Sequence, residues 1–339
     1  MVDFIPKPID DVDLISVLIL TRGRPEKLVR AIKSLESLAA NKDKIDLWIY
    51  VDDDDTLTHD LIDSGWDKDI GFPIHWHIST RPVTHGEAFG EIWQKSSNAG
   101  IYFGFPDDHE LTTCGWDDVI RETFRDLPDD RIAVGYLPDP FVPEGGITVM
   151  AVTAQWVNQV GHFIVPHFPY WYGDKWLEQI AEMVDRKFRI PVGLYPLDGK
   201  KGKTLRMWDL PFWERFFHLL LTERADTARR IIEKLTDDNS LMRTQAIDLM
   251  HENIEKFEKE AEDEQSRDQL LAIQLAFTAE GEDKSDSYLK ALRQAEEHLE
   301  AMTPRIIKMK TQRVLRYKEK VLAQSIVGHI QSVKEATNR

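Results

Sequence analysis

Ile15-Ser16-Val17-Leu18-Ile19-Leu20-Thr21-Arg22-Gly23-Arg24-Pro25-Glu26-Lys27-Leu28 runs from an apolar segment through a short polar turn into a proline. Such an apolar strand suits the middle of a parallel sheet buried on both faces. Pro25 suits the first turn of a helix that follows. Ligands of such sheets lie at the carboxyl ends of the strands, so Thr21, Arg22 and Arg24 stand where a nucleotide would be held. The turn has no Gly-x-Gly-x-x-Gly, which argues against a dinucleotide-binding unit. For the two arginines alone, a solvated loop is the plainer alternative.

Outward from this unit, the apolar runs Leu47–Val51, Ile74–Ile78, Ile101–Phe105 and Ile132–Gly135 alternate with turns and helical stretches. This is an α/β rhythm. Beyond Thr222, apolar residues recur at helical spacing among many charges, with almost no glycine or proline. The division predicts an α/β catalytic unit over 1–222 and an all-α region over 223–339, consistent with a length of 339 residues. A content of 42% hydrophobic residues, with 10 tryptophans, is ample for a packed core, and a net charge of -16 opposes non-specific attraction to nucleic acid or anionic lipid. Cys114 is the only cysteine, which rules out an internal disulfide and suits a reducing compartment; a small buried thiol is its plain reading. The acidic N-terminus is unlike a signal peptide and no apolar run reaches membrane-spanning length, so the expected location is cytoplasmic, away from membranes.

Two strands end in acids. Asp46–Val51 leads into Asp52-Asp53-Asp54-Asp55, four carboxylates that need compensation by a ligand donor, a helix N-terminus or water. Asp52 and Asp53 are the candidates for holding a nucleotide. Ile101–Phe105 leads through Pro106 into Asp107-Asp108-His109-Glu110. Oxygen and nitrogen ligands at one strand end suit a divalent cation, Mn²⁺ more than Mg²⁺ because of the histidine, with Asp108 and His109 as the metal pair. Such a cation bridges diphosphate to protein and neutralises charge on a departing nucleoside diphosphate.

Together these segments resemble inverting family 2 glycosyltransferases of the GT-A fold, over about residues 14 to 235 and most strongly before Asp118. In that family a strand ends in Thr-x-Arg/Asn, a second in an Asp pair that cradles the base, and a later one in Asp-x-Asp. The resemblance implies an α/β GT-A domain with a mixed central sheet, followed here by helices. It adds Arg81 to the donor-binding set of Thr21, Arg22, Arg24, Asp52, Asp53, Asp107 and Asp108. Arg81 and Gly86 correspond to a linker before a helix, and Asn98-Ala99-Gly100 to the turn leading into the metal strand. His109 replaces the last family carboxylate, and the family's asparagine in the preceding helix is replaced near Ile92.

Further along, Pro166–Leu177 is dense in aromatic residues, and Asp174 opens an apparent helix, where an N-cap is its plain role. The resemblance makes Asp174 the general base that activates an acceptor hydroxyl. His162, His167 and His218 are reserve candidates; His75 and His77 share a strand face but read as structural. Lys201, Lys203 and Arg206 lie in a basic loop that corresponds to the family's donor-closing segment. The helical tail divides into an acidic half, 252–300, and a basic half, 305–320, able to pair with each other or to mediate self-association into a homo-oligomer. The likeness to compact, phage-type members with helical extensions keeps modified DNA bases among the acceptors. The contrasting expectation is a non-catalytic binding or assembly protein on a transferase scaffold.

Overall fold

Ile15, Val17 and Ile19 point to one side of the first strand and Leu18 to the other, and each side meets its own layer of helices. The computed structural model describes residues 5–82, 84–139, 146–168, 172–197, 217, 220–236, 241, 243–249, 251 and 252. Strand β1 (Asp11–Thr21) is followed by α1 (Pro25–Leu38), which buries Leu28, Ala31, Ile32 and Leu35 against Ile15, Val17 and Ile19. Pro25 occupies the first turn of α1, as expected. Each of the leucine, isoleucine and valine side chains contributes about 1.5–3 kcal/mol when fully buried, Ala31 less. Burial on both faces is what an uninterrupted apolar strand requires.

The chain continues through β2 (Ile45–Asp52), α2 (Thr56–Asp63), β3 (Ile74–Ser79), α3 (His85–Lys95) and β4 (Ala99–Gly104). Next come β5 (His109–Leu111), α4 (Trp116–Thr123), β6 (Val134–Leu137), β7 (Val149–Thr153), α5 (Ala154–Val160) and α6 (Gly173–Met183). Strands β8 (Lys187–Arg189) and β9 (Leu194–Pro196) precede the helix α7 (Leu221–Ile232). The central sheet has the order β3-β2-β1-β4-β7-β6-β8, and β5 pairs with β9 in a separate ribbon. Pairing is parallel from β3 through β4, antiparallel around β7, and parallel again between β6 and β8. The mixed α/β sheet expected from the sequence is therefore present.

The chain passes from β1 to β2 and β3 on one side, then returns to β4 on the other. This reversal opens a crevice at the carboxyl ends of β1 and β4, where open α/β sheets place their ligands. Ala99 and Gly100, expected in the turn before this strand, already belong to β4. Gly100 lies so close to β1 that a Cβ would sit 2.2 Å from the Val12 carbonyl oxygen.

The expected boundary at 222/223 falls inside α7, whose Ala225, Ala228, Ile231 and Ile232 join Trp176, Ile180 and Ala181 of α6 in one core. Arg224, fully buried, lays its guanidinium over Trp176 and Phe217 and donates to the Gln179 side chain and the Phe217 carbonyl. This helix is thus packed as part of the α/β unit. Cys114, expected to be buried, is exposed, because it lies in the turn just before the left-handed Gly115 that precedes α4. The basic loop at 201–206, His218 and the tail from 253 to 339 lie outside the described residues. Among the described residues, no helix is long and apolar enough to cross a membrane.

Candidate active site at the strand ends

Four consecutive residues of the β1–α1 turn each bind an acid delivered by another strand. The Thr21 hydroxyl donates to Asp107 Oδ2 at 2.7 Å. Arg22 donates to Asp52 Oδ2 at 2.6 Å and holds both oxygens of Asp54. The Gly23 amide donates to Asp55 Oδ2 at 2.8 Å, with Gly23 at φ +64°, a conformation that favours glycine. Arg24 bridges Asp107 and Asp108, reaching Asp108 Oδ2 at 2.9 Å. The turn therefore stitches the acidic end of β2 to the acidic end of β4 across β1.

The run Asp52–Asp55 is compensated in three different ways. Asp52 and Asp54 share Arg22, and Asp55 caps α2 by accepting from the Thr58 amide and hydroxyl. Asp53 is exposed, and its amide donates to the Ser79 carbonyl. Burial raises the Asp52 carboxyl above its ordinary range, against the pull of Arg22 and Arg81. The hydrogen bond from Arg22 holds Asp54 down at about 2. Arg81 Nε lies 3.9 Å from Asp52 Oδ2, so a second guanidinium faces the same carboxylate.

Asp107 and Asp108 differ in the same manner. Burial pushes Asp107 up to about 6 despite Arg24 and the Thr21 hydrogen bond. Burial also opposes ionisation of Asp108, but the hydrogen bond from His109 and the charges of Arg24, His109 and Lys27 outweigh it and hold Asp108 at about 2. His109 Nδ1 lies 2.9 Å from Asp108 Oδ1. His109 begins β5, whose pairing with β9 sets it opposite Pro196, and the Leu197 amide donates to the Asp108 carbonyl at 2.7 Å.

Among the described residues no group of three acidic, histidine or cysteine side chains is arranged to hold a metal ion. The adjacent pair Asp108 and His109 supplies one carboxylate and one imidazole. A small protein donor set of this kind fits a cation whose coordination is completed by substrate phosphate oxygens and water.

A further titratable residue lies within electrostatic reach of Arg81 and Arg24. His85 opens α3, and burial together with the charges of Arg81 and Arg24 lowers it to about 4. Gly86, expected in a linker, sits in the first turn of α3, where a Cβ would meet the Val165 carbonyl oxygen at 2.4 Å. The same segment presses Phe163 on Gly104 at the end of β4 and Ile164 on Gly173 at the start of α6. Residues 163–166 thereby wedge the start of α6 against α3 and the carboxyl end of β4.

Asp174 lies in the first turn of α6 and is not its N-cap. That place belongs to Tyr172, in the left-handed conformation at φ 69°. The Asp174 carboxylate accepts from the Lys175 amide at 2.8 Å, and burial raises it above the ordinary carboxylate range. Among the described residues no hydrogen bond or ion pair joins it to the acids of β2 and β4. Behind it, Trp176 is packed between the Arg224 guanidinium and the ring of His167, which contacts Glu223 at 2.9 Å. The reserve candidate His167 is thus engaged in packing. His75 stacks on Trp48, and His77 contacts Tyr50 edge-on and bonds Glu91, away from the crevice.

Fold and site together define an α/β protein with a charged, acid-and-arginine crevice at its topological switch point. The chain is similar to S. aureus TarS residues 1–349 in complex with UDP, with a TM-score of 0.49 and 10% identity over 95% of this chain and 92% of that one. It is similar also to the mannosyltransferase PcManGT from Pyrobaculum calidifontis in complex with GDP-Man and Mn²⁺, with a TM-score of 0.47 and 13% identity over 96% and 90% of the two chains. GalNAc-T7 with UDP, GalNAc and Mn²⁺ aligns with a TM-score of 0.44 and 12% identity over 68% of this chain and 54% of that one. No protein-family model matches the sequence, and no curated protein sequence does.

Proposed function

We propose that the protein is a glycosyltransferase that takes a sugar from a nucleoside diphosphate donor bound at the carboxyl ends of β1, β2 and β4. The observation that carries this reading is the β1–α1 turn, which joins the acids of both neighbouring strands through Arg22 and Arg24, with Arg81 facing Asp52 from beyond the end of β3. Carboxylates accept the N–H and hydroxyl donors of a base and ribose, and guanidinium forks bind phosphate. Asp52 and Asp53 are assigned to the nucleoside, with Arg22 and Arg81 beside them. Asp108 and His109 are assigned to a divalent cation, Mn²⁺ before Mg²⁺. When bound, that cation supplies charge neutralisation for the departing diphosphate.

Asp174 is assigned the acceptor. Its raised affinity for a proton suits a general base. The acceptor hydroxyl gives its proton to the Asp174 carboxylate while its oxygen forms a bond to the anomeric carbon. The bond from that carbon to the diphosphate oxygen breaks, the electron pair leaves with the nucleoside diphosphate, and configuration inverts. Arg24 and Arg22 are placed to receive the growing negative charge.

The test is release of nucleoside diphosphate from a panel of UDP- and GDP-sugars with Mn²⁺, Mg²⁺ or EDTA. Slow metal-dependent release from one donor, lost in Asp108→Ala, is the expected result. Absence of release from every donor, with no donor binding, would move the function to a non-catalytic scaffold.

A further inference from the structure

The cation site and the donor site share one arginine. Arg24 places Nη1 on Asp108 Oδ2 at 2.9 Å and Nη2 on Asp107 Oδ1. The two remaining carboxylate oxygens are also taken, Asp107 Oδ2 by the Thr21 hydroxyl and Asp108 Oδ1 by His109 Nδ1 at 2.9 Å. Every carboxylate oxygen of the pair is therefore engaged by a donor of the protein itself. Each of these oxygens keeps a further lone pair, but a divalent ion on Asp108 would sit beside the guanidinium charge held 2.9 Å from Oδ2, and that repulsion is relieved only when the guanidinium moves away. Displacing the guanidinium strips a buried carboxylate, Asp107 at 1% exposure, of its counter-charge.

Arg24 Nε is buried with no hydrogen-bond acceptor, so the fork spends both terminal nitrogens on the acids and leaves its third edge unsatisfied. A diphosphate offers oxygens for this edge and for a terminal nitrogen at once. The backbone is held, because Arg24 stands before Pro25 at the start of α1. Only the side chain has to turn.

Resting on the donor reading above, we propose that Arg24 is a resident counter-ion of the Asp107–Asp108 pair, keeping divalent cations off it until a nucleoside diphosphate draws the guanidinium away. Cation and nucleotide then bind cooperatively, and by linkage each raises the affinity of the other by the same factor.

Mn²⁺ binding to the full chain, read from the paramagnetic resonance of the free ion, tests this without turnover. Without nucleotide, Arg24→Met should bind Mn²⁺ about tenfold or more tightly than wild type, within the usual range of coupling between sites. Addition of UDP or GDP should raise the wild-type affinity by a similar factor, and Arg24→Met should lose most of that gain. Arg24→Lys, which keeps the positive charge but presents it from one nitrogen on a shorter stem instead of a two-pronged fork, should fall between them, and it decides the matter if Arg24→Met does not fold. Equal or weaker Mn²⁺ binding by the variants overturns the proposal. If the variants gain Mn²⁺ while wild type binds no nucleoside diphosphate, the guarding role stands and the donor reading falls. If wild type binds nucleotide and Mn²⁺ together while the variants match its Mn²⁺ affinity, the donor reading stands and the guard falls. Mn²⁺ binding by none of them overturns both.

Discussion

Asp107 and Asp108 are consecutive, yet burial lifts the first to about 6 while His109, Arg24 and Lys27 hold the second at about 2 against the same burial. Residue type alone says nothing of this division; His109 at the start of β5, Arg24 of the β1–α1 turn and Lys27 of α1 decide it. The same holds for Asp174, whose helix position suggested a cap and whose carboxylate caps nothing beyond its own neighbour. Replacing it tests its assigned role. Asp174→Asn is expected to lower kcat by roughly 10²–10⁴-fold with donor affinity unchanged, the usual contribution of a general base. Equal kcat in the variant would remove Asp174 from the chemistry. His85 offers a test on stability. Its folded form resists protonation down to about 4, through burial first and then Arg81 and Arg24, whereas the unfolded ring titrates near its ordinary 6.5. Its neutral form therefore stabilises the fold fully above 6.5, and that contribution, up to about 3 kcal/mol, is lost as pH falls through 4. Denaturant unfolding at pH 7 and 4.5 should show a smaller acid loss in His85→Gln than in wild type; equal losses would contradict the assignment. The acids at the ends of β2 and β4 were legible from the sequence, because each run follows an apolar strand. His85 was not, since its significance depends on arginines 4 and 61 residues away along the chain.

At the scale of elements, β1, β2 and β4 could be read strand by strand, because burial leaves a nearly unbroken apolar signature, while the edge strand β3 shows instead an alternation of apolar residues with His75 and His77. Strand limits were less visible: β1 begins at Asp11 and β4 at Ala99, where pairing with a neighbour rather than side-chain pattern sets the start. The antiparallel strand β7 (Val149–Thr153) was not among the expected strands, although Gly145-Gly146 precedes it. Contacts between elements account for Gly86 as well. Its missing side chain lets α3 touch the carbonyl of Val165, a close approach no linker would need. Gly86→Ala should destabilise the protein by about 1–3 kcal/mol, as overpacking does. It should also weaken donor binding, because the displaced segment 163–166 braces both β4 and α6. Chemical denaturation together with a donor-binding isotherm checks both effects, and an unchanged midpoint would show that the segment yields freely.

For the whole molecule, the change in composition near Thr222 marks where helix takes over, but it does not report the core to which the first of those helices belongs. Ala225, Ala228, Ile231 and Ile232 fill the same interior as α6, with Ile247 beside them. A chain cut after Thr222 is expected to lose its cooperative thermal transition, whereas a separate domain boundary there would leave the transition intact. The crevice itself is also a property of the whole sheet, since it exists only where β4 returns to the far side of β1. Its occupancy by a nucleotide is the central claim, and titration calorimetry of nucleoside diphosphates with Mn²⁺ tests it most directly. One of UDP and GDP should bind saturably to wild type and lose at least about tenfold in affinity in Asp52→Ala and in Arg22→Ala, a loss of about 1.4 kcal/mol. No binding to wild type, or binding that neither substitution weakens, would contradict the assignment of the strand ends to a nucleotide-sugar donor.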